Sequence, residues 1–141
     1  MFQNKKRVLF LCTHNSCRSQ MAEALTNHFL GEVWQAFSAG TEATQVNRIT
    51  ILVLQELGID TSVLYSKTME EYAGQTFDHV VTLCGDANEK CPLFFGGVQR
   101  AHHGFEDPSR LKGGEEEVLL EFKRVRDEMR SWLTEYLGSA K

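Results

Sequence analysis

The sequence has no long apolar run and no excess of positive charge. None of its apolar stretches approaches the ~18 residues that a membrane-spanning helix needs, so we predict no membrane segment. Its 15 Lys and Arg residues are outnumbered by 19 Asp and Glu residues, which gives a formal net charge of −4. Because nucleic-acid backbones are bound by basic surfaces, we do not expect nucleic acid to be the main partner.

The chain also lacks a signal-peptide pattern, internal repeats and a linker. Its basic N-terminal residues lead only into a short strand-like run, without a cleavage-type segment, so we expect a cytoplasmic protein. The 141 residues, 42% hydrophobic and 24% charged, predict one folded domain over 1–141. Persistent structural disulfides are uncommon in the cytoplasm. The four cysteines therefore require a catalytic, redox or metal-binding explanation.

Strand and helix patterns alternate along the chain. We predict strands over 7–11, 33–38, 78–83 and, more weakly, 98–102, and helices over 19–30, 47–57, 115–136 and a short segment at 67–73. This order predicts a three-layer α/β domain with a four-stranded parallel sheet flanked by helices. Ligands of such sheets bind beyond the carboxyl ends of the strands. Cys12 and Cys84 follow the first and third predicted strands, so both thiols should emerge on that side.

The segment that begins at Cys12 is the strongest candidate for an anion-binding loop. It joins a strand to a helix, so its N–H groups and the positive end of the helix dipole converge on one point. That position favours the nucleophilic thiolate form of Cys12, and Arg18 offers two parallel donors to a tetrahedral oxyanion. The alternative is a buried small cysteine beside a solvated arginine, but the strand–loop–helix context favours the anion loop. The residues predicted to bind the oxyanion are Thr13, His14, Asn15, Ser16, Cys17, Arg18 and Ser19.

Cys84 and Cys91 form a second candidate site in the polar loop after the third predicted strand. They could be ordinary surface thiols, or zinc ligands with His102 and His103. Six residues separate the two cysteines, whereas zinc ligand pairs usually have two to four between them, so an exchangeable dithiol fits better. If the reduced loop were helical, the two positions would be about 10.5 Å apart along the axis. A disulfide needs Cα atoms within about 7 Å, so closure would require unwinding.

Asp107-Pro108 follows the fourth predicted strand. Such a pair most often forms only a turn. On the carboxyl side of the sheet, however, the acid of Asp107 could protonate an oxygen that leaves a substrate oxyanion.

Together these motifs resemble the low-molecular-weight tyrosine phosphatase fold and, within it, the thioredoxin-coupled arsenate reductases. The resemblance covers essentially the whole chain and rests on residues 12–23, 38–40, 80–87 with Cys91-Pro92, 103–108 and 122–128. The first motif is shared with the phosphatases. The Cys84 and Cys91 pair is the part that resembles a reductase.

The resemblance implies a relay of three thiols. Cys12 attacks arsenate that is held by the loop amides and Arg18, while Asp107 serves as the general acid. Cys84 then attacks Cys12, which releases arsenite and leaves a Cys12–Cys84 disulfide, and Cys91 converts it to Cys84–Cys91. Thioredoxin, or a glutathione/glutaredoxin couple, restores the thiols.

The resemblance further implies a monomer without a resident cofactor or metal. Asn15 and Ser19 steady the thiolate and the loop, and Cys17 receives no essential role.

Three residues depart from the family pattern. His14 replaces a glycine, so the loop mouth carries a bulky titratable group, and His103 replaces a tryptophan. Some members hold potassium with residues that match Asn15, Glu23 and Ser38 plus an aspartate, but here Lys67 aligns with that aspartate. We therefore expect the lysine ammonium to replace the ion, so that turnover is independent of potassium.

Two other functions remain open from the sequence. A low-molecular-weight phosphatase is the first, although Asp107-Pro108 is followed by Ser109-Arg110 rather than by the tyrosines that grip an aromatic substrate. A non-catalytic module that binds an anion or a partner is the second.

Overall fold

The computed structural model describes residues 5–84, 94 and 96–139, and in them strands and helices alternate. The strands are β1 (Lys6–Cys12), β2 (Trp34–Gly40), β3 (Phe77–Cys84) and β4 (Gly97–Phe105), and the helices are α1 (Arg18–Phe29), α2 (Arg48–Gln55) and α3 (Glu115–Ser139). Single 3₁₀ turns form at Met69–Tyr72 and Pro108–Arg110. No helix in these ranges is long and apolar enough to cross a membrane.

The four strands form one parallel sheet in the order β2-β1-β3-β4. The central strand β1 carries the run Val8-Leu9-Phe10-Leu11, whose side chains are completely buried. A strand that is covered on both faces needs apolar side chains in both directions, which explains the unbroken run. The predicted fold class is confirmed.

The two faces of the sheet have separate cores. Val8 and Phe10 pack with residues of all three α-helices in the larger core. Leu9 and Leu11 point the other way and pack with Tyr72, which lies in the 3₁₀ turn. Alternating side chains of one strand therefore feed two layers, and the second layer is the thinner one.

Two local features bring distant segments to the carboxyl ends of the strands. The backbone N–H of Asn47, which caps α2, donates to Ser16 O at 3.1 Å and ties that helix to the β1–α1 loop. On the other side, Thr82 pairs with His102 but Cys84 pairs with Phe105, so β4 contains one extra residue. Such a bulge bends the strand and redirects the residues that come after it. Here it directs the chain after Phe105 toward the β1–α1 loop.

Candidate active site

The β1–α1 loop turns through Asn15, whose φ of 51° is the only positive value at a non-glycine residue in the described ranges. The buried Asn15 side chain holds this conformation with four hydrogen bonds. Its Nδ2 donates to Ser19 Oγ (2.7 Å) and Ser38 Oγ (3.0 Å), while its Oδ1 accepts from Lys67 N and Gln20 Nε2 (both 2.9 Å). A left-handed residue persists where its surroundings over-determine it. The loop is therefore set in advance of any ligand.

The end of β2 packs against the same loop without room for a side chain. A Cβ at Gly40 would lie 2.5 Å from Thr13 O and 2.9 Å from Asn15 N, both of which are backbone atoms. The next residues then bond the loop, since Glu42 N and Thr41 Oγ1 each donate to Thr13 O at 3.1 Å. Glycine is required here because any larger residue would displace the loop.

The Cys12 thiol is buried and lies 2.8 Å from Ser19 Oγ. Because Asn15 already donates to the oxygen of Ser19, the hydroxyl hydrogen of Ser19 is available for the sulfur. When Cys12 is a thiolate, Ser19 must be the donor, and a hydrogen bond to a charged acceptor is a strong one. The arrangement therefore supports the charged, nucleophilic form.

Arg18 and Asp107 face each other across the loop. Arg18 Nη1 donates to Phe105 O at 3.2 Å, and Arg18 Nη2 lies 3.8 Å from Asp107 Oδ2. The other carboxylate oxygen, Oδ1, accepts from the backbone N (3.0 Å) and the hydroxyl (2.6 Å) of Ser109. Ser109 thus fixes the orientation of the carboxyl group and leaves Oδ2 toward the guanidinium.

These groups surround a cavity of about 130 Å³. Its lining consists of Cys12, His14, Ser16, Cys17, Arg18, Thr44, Asp107 and Ser109. Pockets for drug-sized ligands are ~300–1,000 Å³, so this one suits a small ion. Thr44 and Ser109 are lining residues that the sequence did not indicate as part of the site, because nothing in their local pattern distinguishes them from ordinary turn residues.

A larger groove, of about 590 Å³, lies at the opposite end of the sheet. It is lined mainly by the end of α1, the start of β2 and the end of α3, and no cysteine, serine or threonine is among its lining residues. The smaller cavity is therefore the one with a nucleophile and an anion-binding group.

Cys17 lies in the same loop but in different surroundings. Burial raises its pKa to about 11. The Cys17 thiol therefore stays protonated at neutral pH. That it has no essential role stays a prediction.

Cys84 ends β3 and is buried. Since Leu11 pairs with Thr82, Cys84 lies one residue beyond the position opposite Cys12. With strands about 4.8 Å apart and a rise of about 3.3 Å per residue, the two Cα atoms are about 6 Å apart. A disulfide accepts that Cα separation. Strand alternation, however, directs the two side chains to opposite faces of the sheet, so a bond requires the end of β3 to turn toward the loop.

The remaining members of the predicted dithiol site lie outside the described residues. This applies to Cys91, to Gly85 and to the loop whose helical form the sequence left open. The Cys12–Cys84 and Cys84–Cys91 disulfides therefore stay predictions, as does the comparison with a zinc site that would include Cys91.

The buried Lys67 ammonium lies behind the loop among three oxygen atoms. Its Nζ is 3.0 Å from Tyr65 O, 3.3 Å from Glu23 Oε1 and 3.5 Å from Ser38 Oγ. The ring of Tyr65 lies below it, with 4.4 Å between Nζ and the ring centroid. Ser38 in turn donates to Glu23 Oε1 at 2.7 Å. The Lys67 ammonium thus contacts Ser38, which accepts a hydrogen bond from Asn15, and Glu23, which accepts one from Ser38.

The two histidines that depart from the family pattern occupy different places. His14 is at the mouth of the cavity, where its Nε2 lies 3.5 Å from Glu42 Oε2. His103 is stacked on Phe105, with 4.5 Å between ring centroids, and packs against Trp132 at 4.6 Å. His103 therefore supports the segment that leads to Asp107, whereas His14 faces solvent and ligand.

Comparison with known proteins identifies the family. Residues 7–141 match the model of the low molecular weight phosphotyrosine protein phosphatase family, so the chain belongs to that family. It is 46% identical over 136 residues to the arsenate reductase of Bacillus subtilis (strain 168), which covers 96% of this chain and 98% of that protein. The resemblance inferred from the motifs is confirmed.

Solved structures agree with the sequence comparison. An arsenate reductase in the phosphate binding state superposes with a TM-score of 0.81 at 28% identity, and the match covers 96% of this chain and 99% of the other. A thioredoxin-dependent arsenate reductase from Corynebacterium glutamicum gives a TM-score of 0.60 at 28% identity, covering 92% of this chain and 62% of that one.

Proposed function

We propose that this protein reduces arsenate to arsenite, with Cys12 as the nucleophile. The observation that carries the proposal is the buried Cys12 thiol, which has a hydroxyl donor at 2.8 Å and opens into a small cavity with Arg18 and Asp107. Arsenate is a tetrahedral anion, and a preset loop with a guanidinium is suited to hold one. The names of its relatives point to the same reaction.

The first step joins sulfur to arsenic. The Cys12 thiolate attacks As(V), Arg18 and the loop amides stabilise the oxygens, and Asp107 protonates the oxygen that leaves as water. In the second step the Cys84 thiolate attacks the Cys12 sulfur. A sulfur–sulfur bond forms, the sulfur–arsenic bond breaks, and its electron pair remains on arsenic. Two thiols are oxidised to one disulfide while As(V) becomes As(III).

The third step transfers the disulfide from Cys12–Cys84 to Cys84–Cys91. Cys91 attacks Cys84, which frees Cys12 and leaves a Cys84–Cys91 disulfide for an external dithiol to reduce. We propose thioredoxin as that reductant, in line with the thioredoxin-dependent relative, and glutaredoxin with glutathione as the alternative. Such a relay needs a reducing compartment, so we propose the cytoplasm. We propose a monomer as the working form.

A Cys84→Ser variant tests the proposal. Incubated with excess arsenate and a thioredoxin system, it should release no arsenite, because without Cys84 no relay thiol attacks the Cys12 sulfur and the bound arsenic remains As(V). Sustained turnover by Cys84→Ser would contradict the relay. The matched variant Cys91→Ser should trap a Cys12–Cys84 disulfide after one turnover, and its absence in peptide maps would contradict the order of steps.

The family model also makes phosphatase activity a candidate. The same experiment separates the two functions, because hydrolysis of an aryl phosphate needs Cys12 but neither Cys84 nor Cys91. A phosphatase would keep its full hydrolytic rate in both variants and would produce no arsenite in the wild type.

We further propose that Lys67 replaces a bound monovalent cation. The support is its three oxygen neighbours and its ion pair with the mostly buried Glu23. Replacing sodium by potassium should leave the wild-type rate unchanged. In Lys67→Asp the rate should fall and then recover with potassium but not with sodium. Potassium stimulation of the wild type would contradict this proposal.

A further inference from the structure

His14 lies between the oxyanion cavity and an acidic residue outside it. The residue lines the cavity, and its Nε2 lies 3.5 Å from the carboxylate of Glu42, which is not part of the lining. Both side chains are more than half exposed. An imidazole in this place is open to solvent and to an anion in the cavity.

The backbone of His14 is fixed, so its position does not depend on the ligand. Thr44 Oγ1 donates to His14 O at 3.3 Å, and Ser66 Oγ donates to the same oxygen at 3.2 Å. The neighbouring Asn15 is held by its buried hydrogen bonds to Ser19 and Ser38. The Cα of His14 is therefore held at a set place beside the cavity.

The charges within the cavity leave a need for a second cation. The charge of Arg18 is opposed by Asp107 at 3.8 Å, and Glu42 adds a further negative charge near the mouth. Once Asp107 is protonated for its role as the general acid, a bound oxyanion meets the guanidinium of Arg18 and the carboxylate of Glu42, together with the loop amides and the dipole of α1. A protonated His14 would both add a positive charge and neutralise Glu42.

We propose that His14 is a binding residue that raises the affinity of the site for tetrahedral oxyanions such as phosphate and arsenate. This assignment rests on the proposed function, since it concerns the same cavity. The imidazolium contacts the outer oxygen of the bound anion, and Glu42 orients the ring.

Several other charged groups face His14 and must stay constant in any test. Arg18 and Asp107 lie across the cavity, the Cys12 thiol lies at its floor, and Lys67 lies buried behind the loop. A comparison of variant with wild type at one pH cancels their titration, and it cancels that of the ligand as well.

Inorganic phosphate is the probe, because it has the charge and shape of arsenate and is not reduced. Reduced protein is alkylated with iodoacetamide at increasing phosphate concentration, and peptide mapping that resolves Cys12 from Cys17 gives the concentration for half-protection of Cys12. The variants are His14→Gln, which removes the charge, and Glu42→Gln, which removes its partner. His28→Gln is the matched control, an exposed histidine at the end of α1 outside the cavity.

At about pH 6, His14→Gln should need about fivefold more phosphate for half-protection, the effect of one partly exposed charge. Glu42→Gln should bind phosphate more tightly, and His28→Gln should match the wild type.

Two results would overturn the assignment. Equal protection of His14→Gln and wild type at about pH 6 would mean that the ring does not contact the anion. Tighter binding by His14→Gln would mean that the ring only crowds the cavity. Phosphate protection involves no electron transfer. A protein that binds phosphate through His14 yet reduces no arsenate therefore contradicts the proposed function alone, and unchanged protection contradicts the His14 assignment alone.

Discussion

The two ends of the sheet contain different kinds of buried side chain. At the carboxyl ends of the strands, buried polar side chains bond one another around the β1–α1 loop, with Asn15 at the centre. At the amino ends, aromatic rings pack in series. Trp34 meets His79 edge-on at 5.4 Å between centroids, and His79 meets Tyr136 at 5.6 Å.

This difference separates the groups that hold the ligand from those that hold the fold. Buried polar groups give little net stability, because their hydrogen bonds replace bonds to water. They do fix positions, and a catalytic loop needs fixed positions. Buried rings contribute stability by area and geometry. We therefore expect changes at the carboxyl end to alter chemistry and changes at the amino end to alter unfolding.

Cys12→Ser should give the largest effect. Loss of the nucleophile should lower arsenate reduction about a thousandfold or more, with the free energy of unfolding nearly unchanged. Cys17→Ala is the control in the same loop. It should retain most activity, because its high pKa keeps that thiol protonated. Arsenite formation measures the activity of both variants, and urea unfolding measures their stability. Equal losses of activity in the two variants would contradict the expectation that Cys12 alone is the nucleophile.

Arg18→Lys should have the next largest effect. Lysine keeps the charge but loses the two parallel donors, so oxyanion binding should weaken by ~2–3 kcal/mol. Arg48→Lys, at an exposed arginine of α2, is the control and should bind like the wild type. The phosphate concentration that half-protects Cys12 measures the affinity of both variants. Normal phosphate affinity in Arg18→Lys would show that the guanidinium does not bind the oxyanion.

Ser19→Ala should have a moderate effect on the nucleophile. It removes the hydroxyl 2.8 Å from Cys12 Sγ, and hydrogen bonds to charged groups are worth ~1.5–3 kcal/mol. Alkylation of Cys12 near pH 6 should therefore slow about tenfold. Ser62→Ala, in an exposed turn, should alkylate at the wild-type rate. An unchanged rate in Ser19→Ala would show that the hydroxyl does not support the thiolate.

His79 should give the smallest effect, at the amino end. Burial, and secondarily the charge of Lys6, lower the pKa of His79 below its usual range. Below about pH 6.5 the unfolded chain therefore binds protons that the folded chain does not. Stability from the neutral ring is present above about pH 6.5 and is lost as the pH falls toward the folded pKa, by less than about 1.4 kcal/mol per pH unit.

The matching measurement is urea unfolding between about pH 5 and 7.5. His79→Gln should flatten this slope without changing arsenate reduction at neutral pH, whereas the exposed His28→Gln should leave the slope as it is. A steep slope that persists in His79→Gln would place the acid-sensitive group elsewhere.

Much of the fold follows from local patterns, because each strand and helix has its own signature. The apolar run around Phe10 predicts β1 to within a residue at each end. The predicted strand at 98–102 is shorter than β4, which continues to Phe105, because the bulge interrupts the pairing without any apolar signal. The short segment predicted as a helix is a 3₁₀ turn, where one turn of sequence cannot specify the hydrogen-bond period.

The site is predictable only where its residues adjoin in sequence. The loop from Cys12 to Arg18 carries its own motif. Thr44 and Ser109 reach the cavity from separate loops, which only tertiary packing brings together. The three-oxygen surroundings of Lys67 also depend on Glu23 and Ser38, which are distant from it in the sequence.

The extra residue in β4 determines how far Asp107 extends toward the β1–α1 loop. Deleting one residue between His102 and Phe105 would restore regular pairing with β3 and draw Asp107 back by about 3.3 Å. Such a shortened chain would keep every cysteine and Arg18, but it would lose the contact between Asp107 and Arg18. The length of β4 is therefore as important for the reaction as the reacting side chains, because it places the general acid.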